Sequence, residues 1–213
     1  MTQDRSPPTS VRLFLIRHGE TEWSLSGRHT GISDIALTDN GEAQSRRLQP
    51  LLEPISFAHV LTSPRQRARQ TRALAILGHH EEVESLLTEW DYGAYEGLST
   101  TEIHKTVPGW NIFRDGCPGG ETAAQVAVRA DELLARLREM RGDIALFSHG
   151  QFGCVLASRW IGLGVIEAQH FALDTASLSI LGSKPDHPDV PVIVRWNMLP
   201  AIQSDLNRAA SMR

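Results

Sequence analysis

Residues 11–19 read VRLFLIRHG, and this stretch decides the fold. An apolar run without polar alternation is the pattern of a strand covered on both faces. His18-Gly19 then breaks the run and opens a loop. The same grammar returns at residues 143–150, DIALFSHG, where a second buried run ends in Ser148-His149-Gly150. Two buried strands that both end in His-Gly point to a parallel sheet with chemistry at its carboxyl edge.

The surrounding segments fill in that sheet. Thr38 is placed to cap a helix reaching about residue 53, with Ala43, Leu48, Leu51 and Leu52 as its apolar face. Residues 59–61 form a short strand candidate. Ser63-Pro64 reads as a helix start, serine at the N-cap and proline in the first turn, with the helix running to Gly78. Residues 83–86 suggest another strand. Residues 87–120 are rich in Gly, Trp and Pro and form an excursion over the strand ends. Residues 121–141 give the clearest helix, with Val126, Ala130, Leu133, Leu134, Leu137 and Met140 at helical spacing. Residues 151–161 form a further helix, and residues 176–181 and 190–196 two last strands. The expected architecture is α/β, a three-layer α/β/α sandwich with a mostly parallel central sheet. One domain spans residues 11–199, between a flexible lead at 1–10 and a C-terminal tail at 200–213.

Composition narrows the function classes. The chain has 213 residues, 41% hydrophobic and 22% charged, which excludes a collagen-like, coiled-coil or disordered chain. A net charge of −4 argues against a general nucleic-acid binder. No apolar run is long enough for a membrane span, and the polar first ten residues carry no signal core. Cys117 and Cys154 make neither a disulfide framework nor a zinc pattern, so the cytoplasm is the expected location. Of 21 basic residues only Lys105 and Lys184 are lysines. Arg46, Arg47, Arg65, Arg69, Arg136, Arg138 and Arg141 fall where solvated helix faces are expected. Arg17 and Arg67 lie near strand ends, where a guanidinium can grip an oxyanion with two parallel bonds. Arg28 and Arg114 are outer candidates.

In parallel sheets ligands sit beyond the carboxyl ends of the strands. That rule collects His18, residues 63–67 and His149 into one crevice. A histidine with an unprotonated ring nitrogen is a nucleophile toward phosphorus, and Arg17 beside it can clamp phosphoryl oxygens. Gly19 lets backbone approach an anion closely. The helix that follows Ser148-His149-Gly150 offers free N–H groups and a favourable dipole to an anion. Glu89, among Trp90, Tyr92 and Tyr95, is a carboxyl group that partial desolvation can convert into an acid. His79-His80-Glu81-Glu82 holds metal-ligand types, but adjacent side chains on a turn diverge, and a solvated turn is expected.

These residues together form a recognisable set. The chain resembles the histidine phosphatase superfamily, the phosphoglycerate mutase-like family, from Leu13 to about Ser179. The resemblance rests on Arg17-His18-Gly19-Glu20-Thr21-Glu22-Trp23, Leu37-Thr38 with Gly41, and Ser63-Pro64 with Arg67-Ala68 and Gln70-Thr71. It continues through Glu89, Gly93 and Glu96-Gly97, Gly119-Gly120-Glu121, and Ser148-His149-Gly150. Runs such as Gly27-Arg28-His29-Thr30-Gly31 and Trp110-Asn111-Ile112-Phe113-Arg114-Asp115-Gly116-Cys117 are similar to those of small acid phosphatases and sedoheptulose-bisphosphatase-like enzymes. The resemblance implies a phosphoglycerate mutase-like fold and a catalytic set of His18, Glu89, Arg17, Arg67 and His149. In it His18 becomes a phosphohistidine, the arginines and His149 surround the phosphoryl group, and Glu89 is first acid and then base.

The substrate-binding candidates are Glu20, Thr21, Trp23, Ser24, His29, Thr30, Gly31, Trp90, Tyr92, Arg114, Gly150 and Gln151, although the aromatics among them can equally pack the excursion. Arg114 is the candidate for a second phosphate. No metal and no cofactor is expected. The expected partner is a small phosphorylated metabolite, with no nucleic acid or membrane, in a monomer or homodimer.

The chain departs from the mutase pattern. Mutases have asparagine where it has Ser24, and a lysine near the positions of Ser99, Thr100 and Thr101. Between Gly97 and Gly119 it offers only Lys105 and Arg114 as cations. A mutase must hold a doubly anionic intermediate while it reorients, so few fixed cations favour water as acceptor. The expected activity is a metal-independent phosphatase for small monoesters, sugar phosphates or bisphosphates. The alternatives are phosphoglycerate mutase-type transfer and a non-catalytic phosphate-binding member of the family.

Overall fold

The computed structural model describes residues 11–78 and 80–200. Its strands are β1 (Arg12–Arg17), β2 (Phe57–Thr62), β3 (Glu82–Val83), β4 (Asp143–Ser148), β5 (Leu178–Lys184) and β6 (His187–Met198). Its helices are α1 (Glu22–Leu25), α2 (Asp39–Arg47), α3 (Gln49–Leu52), α4 (Gln66–Ala75), α5 (Thr100–His104), α6 (Ile112–Asp115), α7 (Ala123–Glu139) and α8 (Gly150–Trp160). The strands form one sheet in the order β3-β2-β4-β1-β5-β6. β3, β2, β4 and β1 are parallel; β5 runs antiparallel to β1, and β6 antiparallel to β5. The fold is therefore α/β with a largely parallel centre. The expected tail at residues 1–10, and all of the expected tail at 200–213 except Pro200, lie outside the described residues.

The unbroken apolar run of β1 has a direct cause. Leu13 and Leu15 pack on one face with Ile144, Leu146 and the inner residues of α7 and α8. Phe14 and Ile16 pack on the other with Val60, Phe147, Leu48, Leu52 and Ala75. Each residue of β1 from Leu13 to Ile16 is nearly inaccessible. Alternating side chains feed two separate cores, so no polar residue fits between them.

This arrangement also fixes the site. After β1 and β2 the chain passes to the layer of α2, α3 and α4. After β4, the neighbour of both, it passes to the opposite layer through α8. Connections that leave adjacent parallel strands in opposite directions open a crevice at their carboxyl ends. Arg17 of β1 and Ser148 of β4 are paired in register at that edge. His18 and His149 are the next residues of each chain segment.

The helix expected from Thr38 to about residue 53 is two helices with a junction at Leu48. Its inner face holds Gly41, Ser45, Leu48 and Leu52, while Ala43 is exposed. Glycine is needed at 41 because a Cβ there would come within 2.1 Å of the Glu20 carbonyl oxygen. Ser63 does not cap α4: Arg65 is the N-cap residue and supplies no side-chain cap bond. The Ser63 hydroxyl accepts the N–H of Arg65 at 3.3 Å and meets His149 Nε2 at 2.7 Å. The expected strand at 83–86 shrinks to Glu82–Val83, and Ser85–Leu87 turn into a 3-10 segment.

Candidate active site

His18 is 5% exposed at the end of β1, and its Nδ1 lies 2.7 Å from the carbonyl oxygen of Gly19. A carbonyl only accepts, so Nδ1 carries the proton and donates. The lone pair is thereby assigned to Nε2, which no hydrogen bond among the described residues engages. Burial is the largest cause that lowers the His18 pKa well below its ordinary value, and the charges of Arg67 and Arg17 add to it. The imidazole is neutral and its tautomer is fixed.

His149 sits at the matching position after β4, with ring centroids 5.3 Å from those of His18. Arg67 Nε–H donates to its Nδ1 at 3.2 Å, so Nε2–H donates to the Ser63 hydroxyl at 2.7 Å. Both nitrogens are occupied. Burial, then the charge of Arg67, holds its pKa well below the ordinary histidine value.

Arg67 has no exposed surface and donates to the carbonyls of Ser33, Thr30 and Gly31. Burial lowers its pKa to about 10 against the pull of Glu89, which leaves it charged at neutral pH. Arg67 and His149 thus form a layer beneath the cavity rather than its wall.

The cavity has a volume of about 250 Å³, and Arg17, His18, Glu89, Tyr92, Gly150 and Gln151 are among its walls. Arg17 donates one guanidinium nitrogen to the Leu173 carbonyl, while its Nε is buried without a partner. A Cβ on Gly150 would stand 3.3 Å from this guanidinium, so glycine there gives Arg17 its room.

Glu89 is 8% exposed, and its carboxylate accepts N–H bonds from Trp90 (2.9 Å), Phe152 (2.7 Å) and Gln151 (2.9 Å). The amino end of α8 therefore grips the protein's own carboxylate. The expectation that these N–H groups stay free for a bound anion is corrected accordingly.

Among the substrate-binding candidates, Ser24, His29, Thr30, Tyr92, Gly150 and Gln151 line the cavity, with Arg28 at its rim. Among the described residues the Tyr92 hydroxyl and the Gln151 side-chain amide have no hydrogen-bond partner. His29 stacks on Tyr92 at 4.6 Å and bonds Thr100 Oγ1 at 3.1 Å. Burial lowers its pKa to about 4, so it is an uncharged wall at neutral pH.

The other candidates lie elsewhere. Trp90 is fully buried in the core and donates its indole N–H to the Glu121 carbonyl, because the larger apolar volume lies behind the excursion. Trp23 packs against Gly97. Glu20 braces α2 through Thr38 and Asn40, and Thr21 caps α1. The Gly31 N–H donates to Glu96, whose carboxylate also takes the Ser33 N–H and so ties the loop that Arg67 holds. Arg114 is exposed, paired with Asp115 and bonded to the Gly109 carbonyl, away from the cavity wall. Glu81 pairs with Arg69 and Glu82 with His59. Among the described residues no group of three or more His, Cys, Asp or Glu is placed to hold a metal ion.

With this geometry established, the relatives fall into place. A family model, the histidine phosphatase superfamily (branch 1), matches residues 13–198. The chain belongs to this superfamily. An acid phosphatase of Mycobacterium tuberculosis is 44% identical over 175 residues, which are 80% of this chain and 86% of that protein. A sedoheptulose 1,7-bisphosphatase of Saccharomyces cerevisiae is 38% identical over 192 residues, 75% of this chain and 70% of that one. The solved structure of a Mycobacterium tuberculosis open-reading-frame product superposes with a TM-score of 0.84 at 41% identity, covering 89% of this chain and 98% of that chain.

The sequence reading missed Arg129. It pairs with Glu121 through two nitrogens and donates to the carbonyls of Leu86, Thr88 and Glu89. No local signal marks its role, because the three carbonyls lie about 40 positions away in sequence.

Proposed function

We propose that this histidine phosphatase is a metal-independent hydrolase of small phosphate monoesters, sugar phosphates or bisphosphates, acting through a phosphohistidine at His18. One observation carries the reading: His18, neutral and fixed in its tautomer, lines a cavity together with Arg17 and Glu89. In the first displacement the Nε2 lone pair forms a bond to phosphorus. The ester P–O bond breaks, its electron pair stays on the leaving oxygen, and a protonated Glu89 supplies the proton. In the second, water attacks phosphorus and gives its proton to the Glu89 carboxylate. The P–N bond breaks and its electrons return to Nε2. Arg17 on the wall and Arg67 beneath it provide the positive field that phosphoryl transfer requires, while neutral His149 holds Arg67 in place.

The uncharged wall suits a hydroxylated substrate. Tyr92, Gln151 and neutral His29 offer donors and acceptors without charge. Cations for a second anionic group are few: Arg28 already donates to the Gly97 carbonyl at 2.6 Å, and Arg114 is held by Asp115. That scarcity supports water, rather than a second substrate hydroxyl, as acceptor. The two buried free thiols, Cys117 and Cys154, fit a reducing, cytoplasmic setting. Among the described residues no helix is long and apolar enough to cross a membrane.

A panel of phosphate esters tests the reading through kcat/KM. Free phosphate is expected from sugar phosphates and from sedoheptulose 1,7-bisphosphate. Release of 2-phosphoglycerate from 3-phosphoglycerate would identify a mutase. Absence of both turnover and an acid-labile label on His18 would identify a binding module.

A further inference from the structure

We propose that Arg129, together with Glu121, is a positioning residue that sets the Glu89 carboxyl for proton transfer. The inference rests on the reading of Glu89 given above and adds the device that holds it in place.

Arg129 acts at both ends of Glu89. On the backbone side its guanidinium donates to the carbonyls of Leu86 (2.9 Å), Thr88 (2.8 Å) and Glu89 itself (3.3 Å). On the side-chain side it lies 4.2 Å from the ring centroid of Phe152, whose N–H holds the Glu89 carboxylate at 2.7 Å. The remaining donors pair with Glu121 at 2.8 and 2.7 Å. Glu121 extends the brace, since its carboxylate accepts the Asp91 N–H and its carbonyl accepts the Trp90 indole, both at 2.9 Å. Residues 86–91 thus hang on one largely buried ion pair between α7 and the segment just before it.

A guanidinium is required for this task. Its fork spreads five N–H donors in a plane, whereas an ammonium is a single point charge that cannot face three carbonyls and both carboxylate oxygens together. An anchor serving only to hold α7 would need one carboxylate partner. Here the carbonyl bonds all go to the segment ending at Glu89, and the ring contact goes to the residue that receives its side chain. A displaced catalytic group loses rate steeply with distance.

The test compares Arg129→Lys, Glu89→Gln and the double variant on two substrates. Glycerol 3-phosphate has an alkoxide leaving group that needs a proton; 2,4-dinitrophenyl phosphate has one that does not. Arg129→Lys is expected to lower kcat/KM for glycerol 3-phosphate by about tenfold to hundredfold, and to leave the dinitrophenyl ester near its wild-type value. In the Glu89→Gln background it is expected to add no further loss, because both changes act through one group. Equal loss on both esters, no loss on either, or a full additional loss in the double variant would overturn the proposal. Should Arg129→Lys not fold, Glu121→Gln is read by the same criteria. If Glu89→Gln itself shows no preference between the esters, the assignment of Glu89 as acid fails and the positioning role falls with it. If Glu89→Gln discriminates and Arg129→Lys does not, only the positioning role fails.

Discussion

His18 and His149 occupy equivalent places and are wired in opposite ways. Each follows a parallel strand, each precedes a glycine, and the residues before them are register partners. His18 commits one nitrogen to a backbone carbonyl and leaves the other open to the cavity. His149 commits both, one to Arg67 and one to Ser63. The difference teaches that the motif places an imidazole, while its partners decide whether it reacts. A nitrogen with a hydrogen-bond partner orients its neighbours; a nitrogen without one keeps its lone pair for the proposed attack on phosphorus.

The largest effect is expected at His18. His18→Ala should abolish turnover and any acid-labile phosphoryl label, which radiolabelled substrate and acid quench would show. A label surviving in that variant and lost in His149→Ala would reverse the assignment. Glu89→Gln should lower kcat/KM for alkyl phosphates by roughly 10²–10⁴, and much less for dinitrophenyl phosphate. Equal loss on both would remove Glu89 from the acid role.

His149→Ala should slow labelling of His18 without abolishing it. It should also cost about 1–3 kcal/mol in urea unfolding, since it leaves the buried Arg67 Nε without its acceptor. A variant as stable as wild type would mean that Arg67 finds another partner.

The pH dependence sharpens the same pair. Both folded-state histidine pKa values lie below the unfolded value of about 6.5. Below that value the unfolded chain binds protons that the folded chain refuses. Stability is therefore fully present above about pH 6.5 and declines as the pH falls toward the folded pKa values. The melting temperature should fall on acidification through this window, and the slope should be shallower in His149→Ala. For the same reason protonation of His18 should not limit kcat/KM until well below pH 6.5. A limb at the ordinary histidine value, abolished by no other substitution, would contradict the lowered His18 pKa. The smallest effect is expected from Gln151→Ala: a few-fold rise in KM for sugar phosphates, with little change for dinitrophenyl phosphate, which has no hydroxyl for the amide to meet.

Much of the fold was legible because β1 and β4 are covered on both sides, and double coverage leaves a continuous apolar run. The long α7 was legible because its inner stripe repeats at helical spacing. Ser63 misled because Ser-Pro marks a helix start equally well whether the hydroxyl caps the helix or reaches across the crevice. Trp90 misled because an aromatic in a glycine-rich loop can face a substrate or a core, and only the packing behind it chooses the core. Arg114 misled because Asp115, its neighbour in sequence, neutralises it before any ligand can.

Sequence alone determined the strand grammar, the two His-Gly ends and the reactive residue types, since each is a property of a few adjacent positions. Tertiary structure decided which ring nitrogen is free, which carboxylate the α8 N-terminus holds, and which arginine braces the proposed acid. Hydrogen bonds join groups far apart in the chain, 86 positions apart for Ser63 and His149, and the sequence around either residue carries no record of the other. The chain places the chemistry at strand ends; long-range bonds assign the roles.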